Sequence, residues 1–164
     1  MPRKSLDHFN CSWARTAEAI GDKWSIVILR NAFFGVDTFT EFLEDLGISK
    51  NILSSRLDHL MTHGILEQRP SRAGGTRQVY KLTRKGRALF PAIVALGQWG
   101  DEWLFDDKPP VVIVDRASRK PVSKVEVHDS EERPLKLGEV TFVAGPGATA
   151  ATKEVARHLE ARTK

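Results

Sequence analysis

Between residues 66 and 87 the chain carries Arg69, Arg72, Arg77, Lys81, Arg84, Lys85 and Arg87, opposed only by Glu67. Cations at that density form a footprint for a polyanion, because each one that meets a phosphate releases a condensed counterion. A solvated, charge-rich surface needs the same composition, so charge alone leaves both readings open. A second polar group precedes it: Ser49, Lys50, Asn51, Ser54, Ser55 and Arg56. Among these, Asn51 and Arg56 carry the paired groups that read adenine and guanine edges bidentately. Catalytic chemistry has no comparable set. No Ser/His/Asp order, paired acids in an expected cleft or metal triad emerges, so no reaction, cofactor or metal is expected. His59 and His63 stand at i, i+4, a spacing that can hold a metal. The zinc-protease pattern, however, needs Glu where Leu60 stands, and a solvent-facing pair is the expectation. Gly74-Gly75 is no phosphate loop, because no Gly-Lys-Ser/Thr follows it.

Such residues need a scaffold. The chain has 164 residues, 41% apolar and 28% charged, enough to bury the core of one compact domain with an appendage. Its single cysteine forbids an internal disulfide and a zinc ribbon built on paired cysteines, and it suits a reducing cytoplasm. No apolar run approaches the ~20 residues of a membrane span. The N-terminus meets polar and acidic residues before a signal-peptide core could form, so a cytoplasmic protein is expected. Residues 1 to 100 hold 14 Lys+Arg against 9 Asp+Glu, whereas residues 101 to 164 hold 11 against 12. The basic excess is therefore N-terminal.

The spacing predicts a helix over 12–20, stopped by a left-handed turn at Gly21, and a buried second helix over 23–34 capped by Asp22 and closed by Gly35. Thr38-Phe39-Thr40-Glu41 reads as a capping box opening a short amphipathic helix through Phe39, Phe42, Leu43 and Leu46. After the Gly47 turn, Ser49 caps a fourth helix. Its inward stripe is Leu53, Leu57 and Leu60, and its outward face carries Lys50, Asn51, Ser54, Ser55, Asp58 and His59, with Arg56 beside it. Strands over 65–69 and 78–82 flank the Gly-Gly pair and make a basic hairpin. Thr83 then caps a long helix to about Leu104, with a kink at Pro91 and a stripe of Leu89, Ile93, Leu96 and Trp103. Gly97 and Gly100 beside that stripe leave room for another helix. Beyond Asp106-Asp107-Lys108-Pro109-Pro110 the period becomes strand-like at 111–114, 122–127 and 139–143, and the last stretch, 152–162, reads equally as a helix or a tail.

The fold class is therefore α+β. A mainly helical winged helix-turn-helix domain with a two-stranded wing occupies residues 1–104, and a small antiparallel β appendage occupies 105–164. In such a unit the fourth helix, 49–63, enters the major groove of B-DNA, and the wing, 70–77, reaches flanking DNA through Arg72, Thr76 and Arg77. Double-stranded DNA is the expected partner.

Ten collinear segments between about residues 11 and 103 resemble the HxlR family of winged helix-turn-helix transcription regulators, among them Ile20-Gly21-Asp22-Lys23-Trp24, Phe39-Thr40-Glu41-Phe42-Leu43, Ile48 to Leu53, Gly64 to Glu67 and Gly86 to Leu89. The resemblance implies a bacterial homodimer, commonly a repressor, on a palindromic operator. Its N-terminal segment and the long helix after the wing build the interface, here Trp13, Leu89, Ile93, Leu96, Trp99 and Trp103. The four tryptophans could otherwise line an effector cavity, and the effector itself is not named by the sequence. Several members keep a thiol at the position of Cys11 as a sensor of oxidants or electrophiles. With no second cysteine, such a sensor acts by adduct formation or by a Cys11–Cys11 bridge between subunits.

Some longer relatives carry cysteine knuckles resembling a degenerate metal ribbon after the long helix. This chain is similar in strand order and in Glu132-Arg133-Pro134-Leu135, but its knuckle positions read Ala117 to Lys120 and His128 to Glu132, without a thiolate. A metal-free appendage is expected, held by Val112, Val114, Val125, Val127, Leu137, Val140 and Phe142. The rival reading is a small-molecule-responsive or protein-interaction module whose DNA affinity is incidental.

Overall fold

Four helix starts in this chain are fixed by side-chain oxygens at the N-cap, from Asp22, Thr38, Ser49 and Thr83, which accept backbone N–H groups that no helical carbonyl can reach. The computed structural model describes residues 5–71 and 78–162 and contains α1 (Ser12–Ile20), α2 (Lys23–Phe33), α3 (Phe39–Leu46) and α4 (Lys50–Thr62). Asp22 accepts from Trp24 N at 2.9 Å, and Ser49 accepts from Ile52 N at 3.3 Å. Thr38 and Glu41 close a reciprocal box, with Glu41 N donating to Thr38 Oγ1 and Thr38 N donating to Glu41 Oε2. Left-handed glycines at Gly35, Gly47 and Gly64 turn the chain after α2, α3 and α4. Gly21 is not among them; it leads straight into the extended backbone of Asp22, so the expected left-handed stop there is replaced by the next helix's cap.

The strands β1 (Leu66–Pro70) and β2 (Gln78–Leu82) pair antiparallel with Leu66 opposite Leu82 and Pro70 opposite Gln78. Tyr80 N donates to Asp37 O at 2.7 Å, so the loop between α2 and α3 adds an edge to this hairpin. The core lies where α2, α3, α4 and the hairpin meet, around Ile28, Leu29, Phe42, Leu53, Leu57, Leu60, Ile65 and Leu66, all essentially inaccessible to water. The expected long helix is two helices. Thr83 caps the single turn α5 (Arg84–Arg87), and α6 (Phe90–Leu104) restarts after Ala88-Leu89. Pro91 explains the break, because its ring has no N–H for the Arg87 carbonyl and is tolerated only in a first turn.

The chain forms two compact units, residues 19–123 and a second made of 1–18 with 124–164. This division does not follow the composition change near residue 105. The expected antiparallel appendage keeps only isolated bridges, Val114 with Pro121 in the first unit and His128 with Pro134 in the second. Each bridge includes a proline, which has no N–H, so neither grows into a ladder. Its expected apolar face is correspondingly open. Val112, Val125, Val127, Leu137 and Phe142 are exposed, and Val114 and Val140 are half-buried. The terminal segment is a helix, α7 (Ala150–Arg162), whose first turn is tied down by Thr152 Oγ1 donating to Asn10 Oδ1 at 2.7 Å.

Carboxylates organise both knuckle positions. Asp115 Oδ1 accepts from Ser118 N at 2.6 Å ahead of a left-handed Arg119. Asp129 Oδ1 accepts from Glu131 N and Arg133 N, around a left-handed Glu132. The Ser118 N–H holds the Asp115 carboxyl below its ordinary value, and the Arg133 and Glu131 N–H groups do the same for Asp129. A carboxyl whose folded pKa is depressed stabilises above its unfolded value, near 3.9, and loses that contribution as pH falls through the folded value. Both turns are therefore expected to stay closed at neutral pH and to loosen only below about pH 4. Amide NMR signals of Ser118, Glu131 and Arg133 would report this as an acid-side transition, absent in Asp129→Ala for the second turn.

Candidate nucleic-acid interface

The site is built on α4. Its leucines at 53, 57 and 60 are fully buried, which fixes the rotation of the helix and turns Asn51, Ser55 and Asp58 outward. Lys50 and Ser54 are also exposed, on one flank of that face. Ser49 is exposed, but its hydroxyl serves the cap. Lys50, Asn51, Ser54 and Ser55 all lie in the N-terminal half of the helix, the half that reaches base edges in a major groove. Asp58 follows one turn later and is exposed on the C-terminal half.

Arg56 lies on the other flank, together with His59. Its side chain is 31% exposed and its Nε stands 3.6 Å from Asp22 Oδ1, the same carboxylate oxygen that caps α2. Asp22 was legible in the sequence as a cap but not as the partner of Arg56, 34 positions away. His59 also departs from expectation. It is half-buried, its Nε2 lies 3.2 Å from Ala19 O, and its ring meets that of His63 at a tilt, with centroids 4.4 Å apart. His59 is folded against the α1–α2 corner, and both rings are half-buried instead of facing solvent freely. Among the described residues no group of three His, Cys, Asp or Glu is placed to hold a metal ion.

The basic stretch is partly spent on the protein itself. Arg69 pairs with Glu67 at 2.6 Å and Lys81 pairs with Asp37. Lys85 Nζ donates to His63 O at 2.7 Å, and Arg87 Nη1 donates to Leu82 O at 2.6 Å. The Arg69–Glu67 pair lies within β1, whereas Lys81, Lys85 and Arg87 tie the hairpin and the turn after it to neighbouring segments; Arg84 stays exposed. The expected wing residues Arg72, Thr76 and Arg77 lie outside the described residues.

The expected interface residues divide in two. Ile93 is buried in the subunit's own core and Leu89 packs against it. Leu96, Trp99 and Trp103 remain exposed on α6, Trp103 at 65%, and a Cβ at Gly97 or Gly100 would meet nothing within 4 Å. Trp13 is exposed and meets Phe142 edge-on at 5.5 Å. Cys11 is half-buried just before α1, where its carbonyl accepts from Arg15 N at 3.0 Å. A cleft lies between the α2–α3 loop and the hairpin. It is lined by charges of both signs, including Asp37, Glu41, Glu67, Arg69, Lys81 and Arg87, and by no tryptophan. That lining lacks the apolar walls of a typical small-molecule site. Among the described residues no helix is long and apolar enough to cross a membrane.

Known proteins share this arrangement. The model of the HxlR-like helix-turn-helix family matches residues 19–108. The chain is 45% identical over 101 residues to Rv3095 of Mycobacterium tuberculosis, an uncharacterised HTH-type transcriptional regulator, and the match covers 61% of this chain and 64% of that protein. The crystal structure of PA1607, a candidate transcription factor, superposes with a TM-score of 0.82 at 40% identity, covering 87% of this chain and all of that one. PA1374 from Pseudomonas aeruginosa, a candidate transcription factor as well, gives 0.62 at 32% identity over 88% and 99%. These relatives are regulators, not enzymes, and the likeness to PA1607 runs beyond the helix-turn-helix into the C-terminal residues. With the capped α2–α3–α4 core, the turn at Gly47 and the paired hairpin in place, the chain belongs to the HxlR-like helix-turn-helix family.

Proposed function

We propose that this protein is a sequence-specific DNA-binding transcriptional regulator that acts as a homodimer on a palindromic operator and represses transcription from it. The observation that carries the reading is the outward face of α4, where Lys50, Asn51, Ser54 and Ser55 are exposed on a helix rotated into place by three fully buried leucines. The side chains offered there can accept and donate to base edges, and a helix of this diameter fits the major groove. Lys50 and the wing cations Arg72 and Arg77 supply contacts to phosphates, which set affinity without choosing a sequence. The exposed aromatic face of α6, beside two glycines with open space over them, supports pairing with a second copy.

Selection of bound fragments from random duplex DNA with the full chain tests this directly. The expected product is a palindrome whose half-sites lie about 34 Å apart, because two copies of α4 must enter successive major grooves. Asn51→Ala is expected to weaken operator binding by about 1–3 kcal/mol and to relax preference at one position in each half-site. Arg72→Ala or Arg77→Ala should weaken all sequences alike and flatten the salt dependence. Equal losses for Asn51→Ala on operator and random DNA would contradict the reading.

A further inference from the structure

Two side chains of α4 reach back to the same corner of the chain. Arg56 and His59, three residues apart, share one flank of the helix. Arg56 Nε stands 3.6 Å from the Asp22 carboxylate, and His59 Nε2 stands 3.2 Å from the Ala19 carbonyl. Ala19 lies in the last turn of α1 and Asp22 caps α2, so both attachments fall on the four residues that join those helices. Arg56 Nε is buried with no hydrogen-bond acceptor of its own, which leaves the Asp22 charge as its compensation. The Asp22 side chain is itself only 22% exposed. With the side chain about two-thirds covered and Nε turned inward toward Asp22, the guanidinium is held at its Nε edge and is not free to swing as a whole into the groove, which bidentate reading of a base requires. The acceptor carbonyl is also well matched, because Ala19 O belongs to the C-terminal turn of α1, where carbonyls lack helical partners and favour a donor.

We infer that Arg56 and His59 are positioning residues, a two-point clamp through which the α1–α2 corner sets the angle at which α4 is presented to DNA, and that Asp22 is a specificity determinant that never touches the duplex. This rests on the DNA-binding reading above. Its consequence is that sequence choice depends on a carboxylate outside the groove, while Arg56, chemically suited to guanine, contributes no base contact of its own.

A double-mutant cycle with Asp22→Asn and Arg56→Gln in the full chain tests it. Asparagine still caps a helix, so Asp22→Asn removes the charge and keeps α2 intact. Both single variants should lose operator affinity by about tenfold, the double variant should lose little more than either, and binding to random duplex DNA should not change. Fragment selection with Arg56→Gln should show preference softened across the half-site, and Asp22→Glu should recover part of the loss. The inference is overturned if Arg56→Gln relaxes one base position while Asp22→Asn leaves operator affinity intact or raises it. If the wild-type chain selects no sequence at all, the DNA-binding reading fails instead. The clamp then stands or falls on hydrogen exchange of the α4 amides, which both single variants should accelerate non-additively and which additive changes would refute.

Discussion

Gly86→Ala is expected to destabilise the protein by about 1–3 kcal/mol or more, although alanine is the better helix former. Gly86 is buried inside α5, and a Cβ there would sit 2.2 Å from the Ile65 carbonyl oxygen and 3.0 Å from Leu82 Cδ2. Helical propensity favours the substitution by no more than about 1 kcal/mol. The obstruction wins because it is backbone, and backbone already in use. Ile65 O accepts from Thr83 N at 3.0 Å, and Thr83 in turn caps α5 by accepting from Gly86 N. Relief of the clash therefore requires the two ends of the hairpin to part. Chemical denaturation would show a lower midpoint, and DNA affinity should fall on operator and random sequences together, unlike the effect of Asn51→Ala. An unchanged midpoint would mean that α5 does not press on the Ile65 carbonyl.

Phe42→Ala should cost about 3–5 kcal/mol, a large share of the 5–15 kcal/mol typical of a folded domain. Phe42 is fully buried in α3 and its ring meets Tyr80 of β2 edge-on at 6.3 Å. Truncation thus leaves a cavity at the point where the helix-turn-helix touches the hairpin, and it also removes the ring pair. The capping box at Thr38 and Glu41 persists, so α3 has a start but no anchor. Thermal unfolding should shift down by many degrees, with Phe42→Leu losing much less because it keeps most of the volume. A loss as small as that of an exposed phenylalanine such as Phe34 would place the core elsewhere.

The parts of this fold that are readable from sequence are the local ones. Asp22, Thr38, Ser49 and Thr83 cap the helices that follow them, because a cap is decided within three residues. The leucine spacing of α4 likewise fixes which face is inward. Reading failed where partners are distant. The ties of Lys81 to Asp37, Arg56 to Asp22 and His59 to Ala19 span tens of residues and leave no periodic trace. They give one lysine, and the arginine expected to read guanine, a carboxylate partner within the protein that composition alone does not show. The valine alternation after residue 110 misled in a different way. It has the period of strands, but Pro121 and Pro134 stand at the positions where a ladder would have to grow, and the Asp115 and Asp129 turns organise the chain instead.

The return of the hairpin to the end of α4 has a thermodynamic outcome. Thr83 Oγ1 donates to Gly64 O at 2.7 Å, and Lys85 Nζ reaches the His63 carbonyl at the same distance, so the base of the hairpin is stitched to the two residues that end α4, the helix proposed to face DNA. The spacing between them is set when the chain folds. A duplex meeting this surface finds helix and wing base already in register, and the conformational entropy of bringing them together has been lost beforehand instead of being subtracted from binding. Association should then resemble rigid docking, with its rate governed by charge and orientation and little slowed by rearrangement of that base.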